Sequence, residues 1–105
     1  MTAIEVPITA DGSAFEFSAA LNSQLFWFKF SFNPRQQRWI FSLFDADKQP
    51  IRQGMAVITG YPVLNRVQDV RKPMGQIVFI DTANTAKPPS FNDLGTRVRM
   101  VYNEA

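Results

Sequence analysis

The chain has no cysteine and no histidine in 105 residues. Those two absences exclude a zinc finger, a thiolate-held iron–sulfur cluster, a Cys–His nucleophile and a Ser-His-Asp triad. They also exclude disulfide staples, so the fold must rest on packing. A chain of this length buries about two thirds of the surface its unfolded form exposes, enough for one core and no more. One domain over residues 1–105 is therefore expected. Glycine is scarce, with five in all, and none falls in a G-x-G-x-x-G or Walker spacing that would cradle a phosphate. Apolar runs such as Leu25 to Phe28 and Ile77 to Ile80 are short, against the roughly 20 residues of a membrane-spanning helix. The segment Met1 to Ile8 holds Glu5 but no Lys or Arg, and no signal-peptide core. The expectation is a soluble chain made in the cytoplasm, without membrane contact.

Charge is modest. Eleven Lys and Arg against nine Asp and Glu leave +2, too little by itself to demand a polyanionic partner. The distribution is uneven: the first 34 residues carry Lys29 against Glu5, Asp11 and Glu16, whereas residues 35–72 carry seven basic and three acidic side chains. Solubilising charge on turns and edge strands explains this pattern, and a basic binding patch is the sharper alternative.

The chain is rich in aromatic residues, including ten Phe and two Trp. Phe26, Phe28, Phe30 and Phe32 alternate, which puts four rings on one face of a strand. Phe15, Phe17, Ala19 and Leu21 alternate before them, and Asn22-Ser23 between the two runs suits a hairpin turn. Asn33-Pro34-Arg35-Gln36 reverses the chain again, because Pro34 presets φ and Asn33 accepts bonds from the backbone ahead. Trp39, Phe41 and Leu43 mark a third strand, and Asp45 to Pro50 a third turn. Ile51 to Ile58 reads as a strand bulged at Gly54. Val63 to Val70 reads either as a helical turn or as an irregular connection. Gln76 to Thr82 and Arg97 to Tyr102 are strands, separated by an extended loop containing Pro88-Pro89. The pattern predicts an all-β fold, a small antiparallel β-sandwich or partly open barrel of six to seven strands.

Few residues are placed for chemistry. Asp45 and Asp47 have calcium-loop spacing but lack the glycine and the closing acidic ligand, so a hairpin turn explains them. Asp81 follows an apolar strand and suits an Asx turn; a general base is the alternative, with no histidine to assist it. No catalytic residue, metal site or cofactor is assigned. Trp27 and Trp39, with Arg35, Arg38, Arg52, Arg66, Arg71 and Lys72, have the composition of a stacking platform for single-stranded nucleic acid. Alternation turns most of the rings inward, which argues against that platform. The run from Leu25 to Phe32 has high β-propensity and little charge, so it must be covered on both sides or held in a permanent assembly.

Several segments resemble the baseplate plug family of contractile-tailed bacteriophages, of myophage and cyanophage type. They are Gly54-Met-Ala-Val-Ile-Thr-Gly60 with Val63-Leu64, Met74-Gly-Gln-Ile-Val-Phe-Ile-Asp-Thr82, Pro88-Pro-Ser-Phe-Asn-Asp-Leu-Gly-Thr-Arg97 and Met100-Val-Tyr102. The Phe28 to Phe32 strand, the Asn33 turn and the Trp39 to Asp45 segment extend the likeness across nearly the whole chain. Asn92-Asp-Leu-Gly-Thr-Arg97 is its most specific element, and the loop from Asp81 to Lys87 departs from the family in lacking a glycine. The resemblance implies a structural virion protein at the centre of the tail baseplate, assembled with a hub and a spike, where it helps close the channel at the start of the tail tube. It implies partners in the hub, the spike and the tail tube or tape-measure segment, self-association in the assembly, and no enzyme activity. A tail-assembly chaperone or scaffold is the alternative role. Gly60 and Gly95 read as left-handed or bulged backbone positions. Arg97 and Arg99 on the last strand are candidates to meet acidic groups of a neighbour, and Trp27 and Trp39 complete the set of candidate interaction residues.

Overall fold

The alternating phenylalanines lie at the centre of the architecture. In the computed structural model, which describes residues 3–9, 12–85 and 87–104, they belong to β3 (Gln24–Asn33). Three neighbours complete its sheet: β2 (Ala14–Leu21), β4 (Arg38–Phe44) and β5 (Pro50–Ala56), in the order β2-β3-β4-β5. The second sheet has the order β1-β7-β6, from β1 (Ala3–Val6), β6 (Gln76–Asp81) and β7 (Val98–Asn103). All strand pairs are antiparallel. The two sheets do not close into a barrel; the fold is a small β-sandwich.

Each turn forms for a local reason. Asn22 and Ser23 both take positive φ, 51° and 63°, the backbone a two-residue hairpin needs to match strand twist. The Asn33 side chain accepts the N–H groups of Arg35 (3.0 Å) and Gln36 (3.3 Å), as its position in the sequence predicts. At Gly54, φ is +73° and the β4–β5 register shifts on the facing strand, which is the expected bulge. The undecided stretch after Pro62 begins as a 3-10 turn, Val63–Arg66, and continues irregularly. Before it, Thr59 and Pro62 bridge to Phe79 and Val78, so the 59–62 segment runs along the outer edge of β6.

One core fills the space between the sheets. Phe26, Phe28 and Phe30 are buried from one side, and Ile77, Phe79, Val98, Met100 and Tyr102 from the other. Phe30 stacks on Phe15 at 5.4 Å, Phe17 at 5.8 Å and Phe41 at 5.6 Å, and meets Phe79 of the opposite sheet edge-on at 6.2 Å. These are the offset and T-shaped arrangements that aromatic quadrupoles favour.

The two layers are also tied by hydrogen bonds. The Tyr102 hydroxyl accepts the Gly75 N–H at 2.8 Å and donates to the Asn22 side chain, joining β7, the loop before β6 and the β2–β3 hairpin. A Cβ on Gly75 would lie 2.1 Å from the Asn103 carbonyl oxygen and 2.8 Å from the Tyr102 ring, so glycine is required there by space.

Phe30→Ala removes the ring shared by both sheets and is expected to cost about 3–5 kcal/mol. Phe44→Ala, on the half-exposed outer face of β4, is expected to cost about 1–2 kcal/mol. Urea unfolding of both variants checks the ranking; equal losses would show that Phe30 does not bridge the layers.

Candidate interaction surfaces

The four residues singled out in the sequence fall in different environments. Trp39 is buried, and its indole N–H donates to the Ser90 carbonyl oxygen at 3.0 Å. Its ring stacks on Phe91 at 5.9 Å, so it holds down the loop from Thr82 to Arg97. Arg97 holds the same loop by charge. Its guanidinium reaches Asp81 at 2.6 Å, Asp93 at 3.2 Å and the Pro88 carbonyl oxygen at 3.0 Å. These are forked, charge-assisted contacts that lysine cannot reproduce. The Arg97 charge is thus matched within its own chain.

Asp81 forms the Asx turn. Its carboxylate accepts the Thr85 hydroxyl, the N–H groups of Ala83 and Thr85 at 2.9 Å each, and Arg97. The Thr85 hydroxyl bond is the largest influence, and with the two N–H groups and Arg97 it outweighs partial burial and holds Asp81 well below the usual carboxylate range. Asp93 is lowered in the same way, chiefly by the Ser90 hydroxyl and N–H, then by Arg97. A carboxylate kept this firmly ionised is a weak base, unsuited to abstracting protons near neutrality.

A second clamp shapes the opposite loop. Arg71 binds Asp69 at 2.7 Å, Asp45 at 3.1 Å and the Pro50 carbonyl oxygen at 2.9 Å. The Arg71 hydrogen bonds lower the Asp69 pKa to about 2. Asp45, half of the calcium-like pair, instead accepts the N–H groups of Asp47 and Gln49 at 2.9 Å each. No group of three potential metal ligands occurs among the described residues. The clamped loop carries two apolar tips, Val70 at 98% exposure and Met74 at 73%. Arg66, Arg71 and Lys72 neighbour them in sequence, and Arg52 reaches the same region by donating to the Arg66 carbonyl oxygen at 3.0 Å. Part of the basic middle of the sequence, Arg66 to Lys72 with Arg52 on the Arg66 carbonyl, thus adjoins the apolar tip along the chain.

Trp27 and Arg99 lie on the outer faces. Trp27 lies between Ser18 and Phe44 in register, with the Lys48 ammonium 4.1 Å from its ring centroid and Lys48 paired to Glu16 at 3.4 Å. Arg99 pairs with Glu5 across the second sheet at 3.4 Å, with both side chains about half exposed. The two tryptophans do not share a surface, so the aromatic platform considered for single-stranded nucleic acid is not assembled. Val70 and Met74 were missed in the sequence, where Val70 continues the spacing of Val63 and Val67 and Met74 falls in the Lys72 to Gly75 turn.

The described surface thus consists of loops held by the Arg97 and Arg71 clamps on a two-sheet scaffold. Over residues 3–105 the chain matches the family described as cyanophage baseplate Pam3 plug gp18, and it belongs to that family. A baseplate plug is a structural component of the virion tail. No curated protein matches the chain.

The depressed carboxylates set the acid response. Because their folded pKa values lie below the unfolded ones, they stabilise the fold fully above about pH 5, and the contribution is lost as the pH falls through about 4 towards their folded values. Thermal melts of the protein should therefore shift down between about pH 5 and pH 2. Asp81→Asn should lower the midpoint by several degrees at neutral pH and flatten the acid slope. An unchanged slope would remove Asp81 from this account.

Proposed function

We propose that this chain is a single-domain plug at the junction of the baseplate hub and the tail tube of a contractile tail, that it assembles with hub and spike, and that it works without catalysis. The observation that supports this reading is the loop tip of Val70 and Met74, exposed on a backbone fixed by Arg71. Apolar side chains in that position add little to folding, but on docking each contributes roughly 25 cal/mol per Å² buried. Arg66 and Lys72, adjoining the tip in sequence, and Arg52, bonded to the Arg66 carbonyl, suit an acidic rim on the hub and give register to the contact. A plug also needs to release: a docking site made of one small apolar tip and a charged rim can break as a unit when the sheath contracts. In contracted particles the contacts of this loop are then lost, whereas identical contacts before and after contraction would overturn the release.

Val70→Asp with Met74→Asp provides the test. The double variant should melt within about 1 kcal/mol of the parent, since surface substitutions rarely cost more. In tails assembled with it, quantitative mass spectrometry should find the chain depleted at least about tenfold relative to the hub, the effect of losing roughly 1.4 kcal/mol of docking free energy. Normal incorporation would place the hub contact elsewhere. Absence of the parent chain from washed, intact tails would reject the plug and favour an assembly factor.

A further inference from the structure

The sandwich has several strand edges, and they are not treated alike. β5 begins at Pro50, carries Arg52 and is bulged at Gly54, all devices that discourage pairing. The outer edge of β6 is bridged by the 59–62 segment, and β1 is only four residues long. β2 is protected least: it runs eight residues in unbroken register with β3, without Pro, Gly or bulge, and with Glu16 as its one charge.

Its free groups can be assigned. The Phe32 N–H donates to the Ser13 carbonyl oxygen at 2.8 Å, which fixes that pair as a hydrogen-bonded one. Antiparallel alternation then turns Phe15, Phe17 and Ala19 towards β3 and points the N–H and C=O groups of Ala14, Glu16, Ser18 and Ala20 outward. Among the described residues no backbone hydrogen bond outside β2–β3 reaches those four. Beside this edge is an open groove of about 590 Å³, lined by Val6, Pro7, Thr9 and the stretch Phe15 to Ala19, so the inward rings of β2 are half exposed at the mouth of the sandwich.

We propose that a second copy of this chain covers that edge, β2 pairing with β2 in antiparallel register about a two-fold axis at Ser18. Several observations select this occupant and register. An outward-facing residue must meet another outward-facing residue, and a two-fold at Ser18 joins Glu16 to Ala20, Ser18 to Ser18 and Ala20 to Glu16. On the inward side, Phe17 comes opposite Ala19, a large side chain against a small one, and the two grooves face each other across the axis. Charge excludes a two-fold at Glu16 or Phe17, which would set the two Glu16 carboxylates opposite or diagonal to each other. Centred on Ser18 they stand roughly 14 Å apart, beyond a Debye length of about 8–10 Å. The pairing joins two four-stranded sheets into one of eight. It concerns contact between copies and does not rest on the hub contact proposed above.

Sedimentation equilibrium of the full chain should give a dimer. Ser18→Pro removes an N–H that β3 does not use, so the fold and its melt should be kept while dimerisation weakens by at least about tenfold, as expected when hydrogen bonds are lost from an edge. Ala20 gives a register-specific pair of variants: Ala20→Glu sets like charges opposite one another and should dissociate the dimer, whereas Ala20→Lys faces Glu16 of the second copy and should tighten it. A monomer at all concentrations, a trimer or larger ring, or a dimer indifferent to Ser18→Pro and to both Ala20 variants would overturn the proposal. Loss of tail incorporation by the Val70 and Met74 variant leaves this result unaffected, so the two readings fail separately.

Discussion

Burial of the β3 phenylalanines is the constraint on which the rest of the structure depends. A strand reading Leu-Phe-Trp-Phe-Lys-Phe-Ser-Phe would pair with any free edge if left exposed. Here β2 and β4 flank it in full register, and β6 and β7 lie over its inward face. Phe30 makes this mutual, because rings from β2, β4 and β6 all meet it. The second sheet cannot be displaced without uncovering that ring, nor the hairpin without leaving Phe79 unsupported. The layers are thus coupled through a shared side chain as well as through the summed area of the common core.

The loops are held by a different kind of force. In a small sandwich the core ends at the strand ends, and long connections such as 82–97 cannot be fixed by burial alone. The chain uses planar cations instead. Arg97 gathers Asp81, Asp93 and the Pro88 carbonyl; Arg71 gathers Asp69, Asp45 and the Pro50 carbonyl. Trp39 adds one hydrogen bond and a stacked Phe91. Exposed ion pairs are individually weak, but a fork that takes two carboxylates and a carbonyl constrains orientation as well as distance. Asp81, whose carboxylate is nearly inaccessible, is the partner for which that geometry matters most.

Local chemistry made much of the fold legible in the sequence. The Phe26 to Phe32 alternation, the Asn33 turn, the Gly54 bulge and the left-handed glycines each carry their own physical signal within a few residues. β1 was missed because Ile4 and Val6 around Glu5 are too short a pattern to separate from a tail; it exists because β7 offers it an edge. The site residues were harder. The sequence placed Arg97 among candidate contacts as a cation on the last strand and Trp39 as an aromatic ring, and nothing local revealed that Asp81, Asp93 and Ser90 would converge on them from 4 to 51 residues away. Val70 and Met74 were illegible for the converse reason: exposure is the absence of long-range neighbours, and no spacing encodes an absence.

Rigidity and exposed apolar tips together make a physical case for assembly. Ordering a loop on binding costs roughly 0.5–1.5 kcal/mol for each side chain immobilised, and that cost is subtracted from affinity. A loop whose backbone is already held by Arg71 avoids the backbone share of the ordering cost, so that on docking only the Val70 and Met74 side chains have to be fixed. The carboxylates that fix the loops are pinned in the charged state, and burial pushes the Tyr102 hydroxyl pKa upward. At Asp69, Asp81 and Asp93 the electrostatics therefore serve to hold the shape of the loops, because each carboxylate is kept charged by the same hydrogen bonds that fix its neighbours in place.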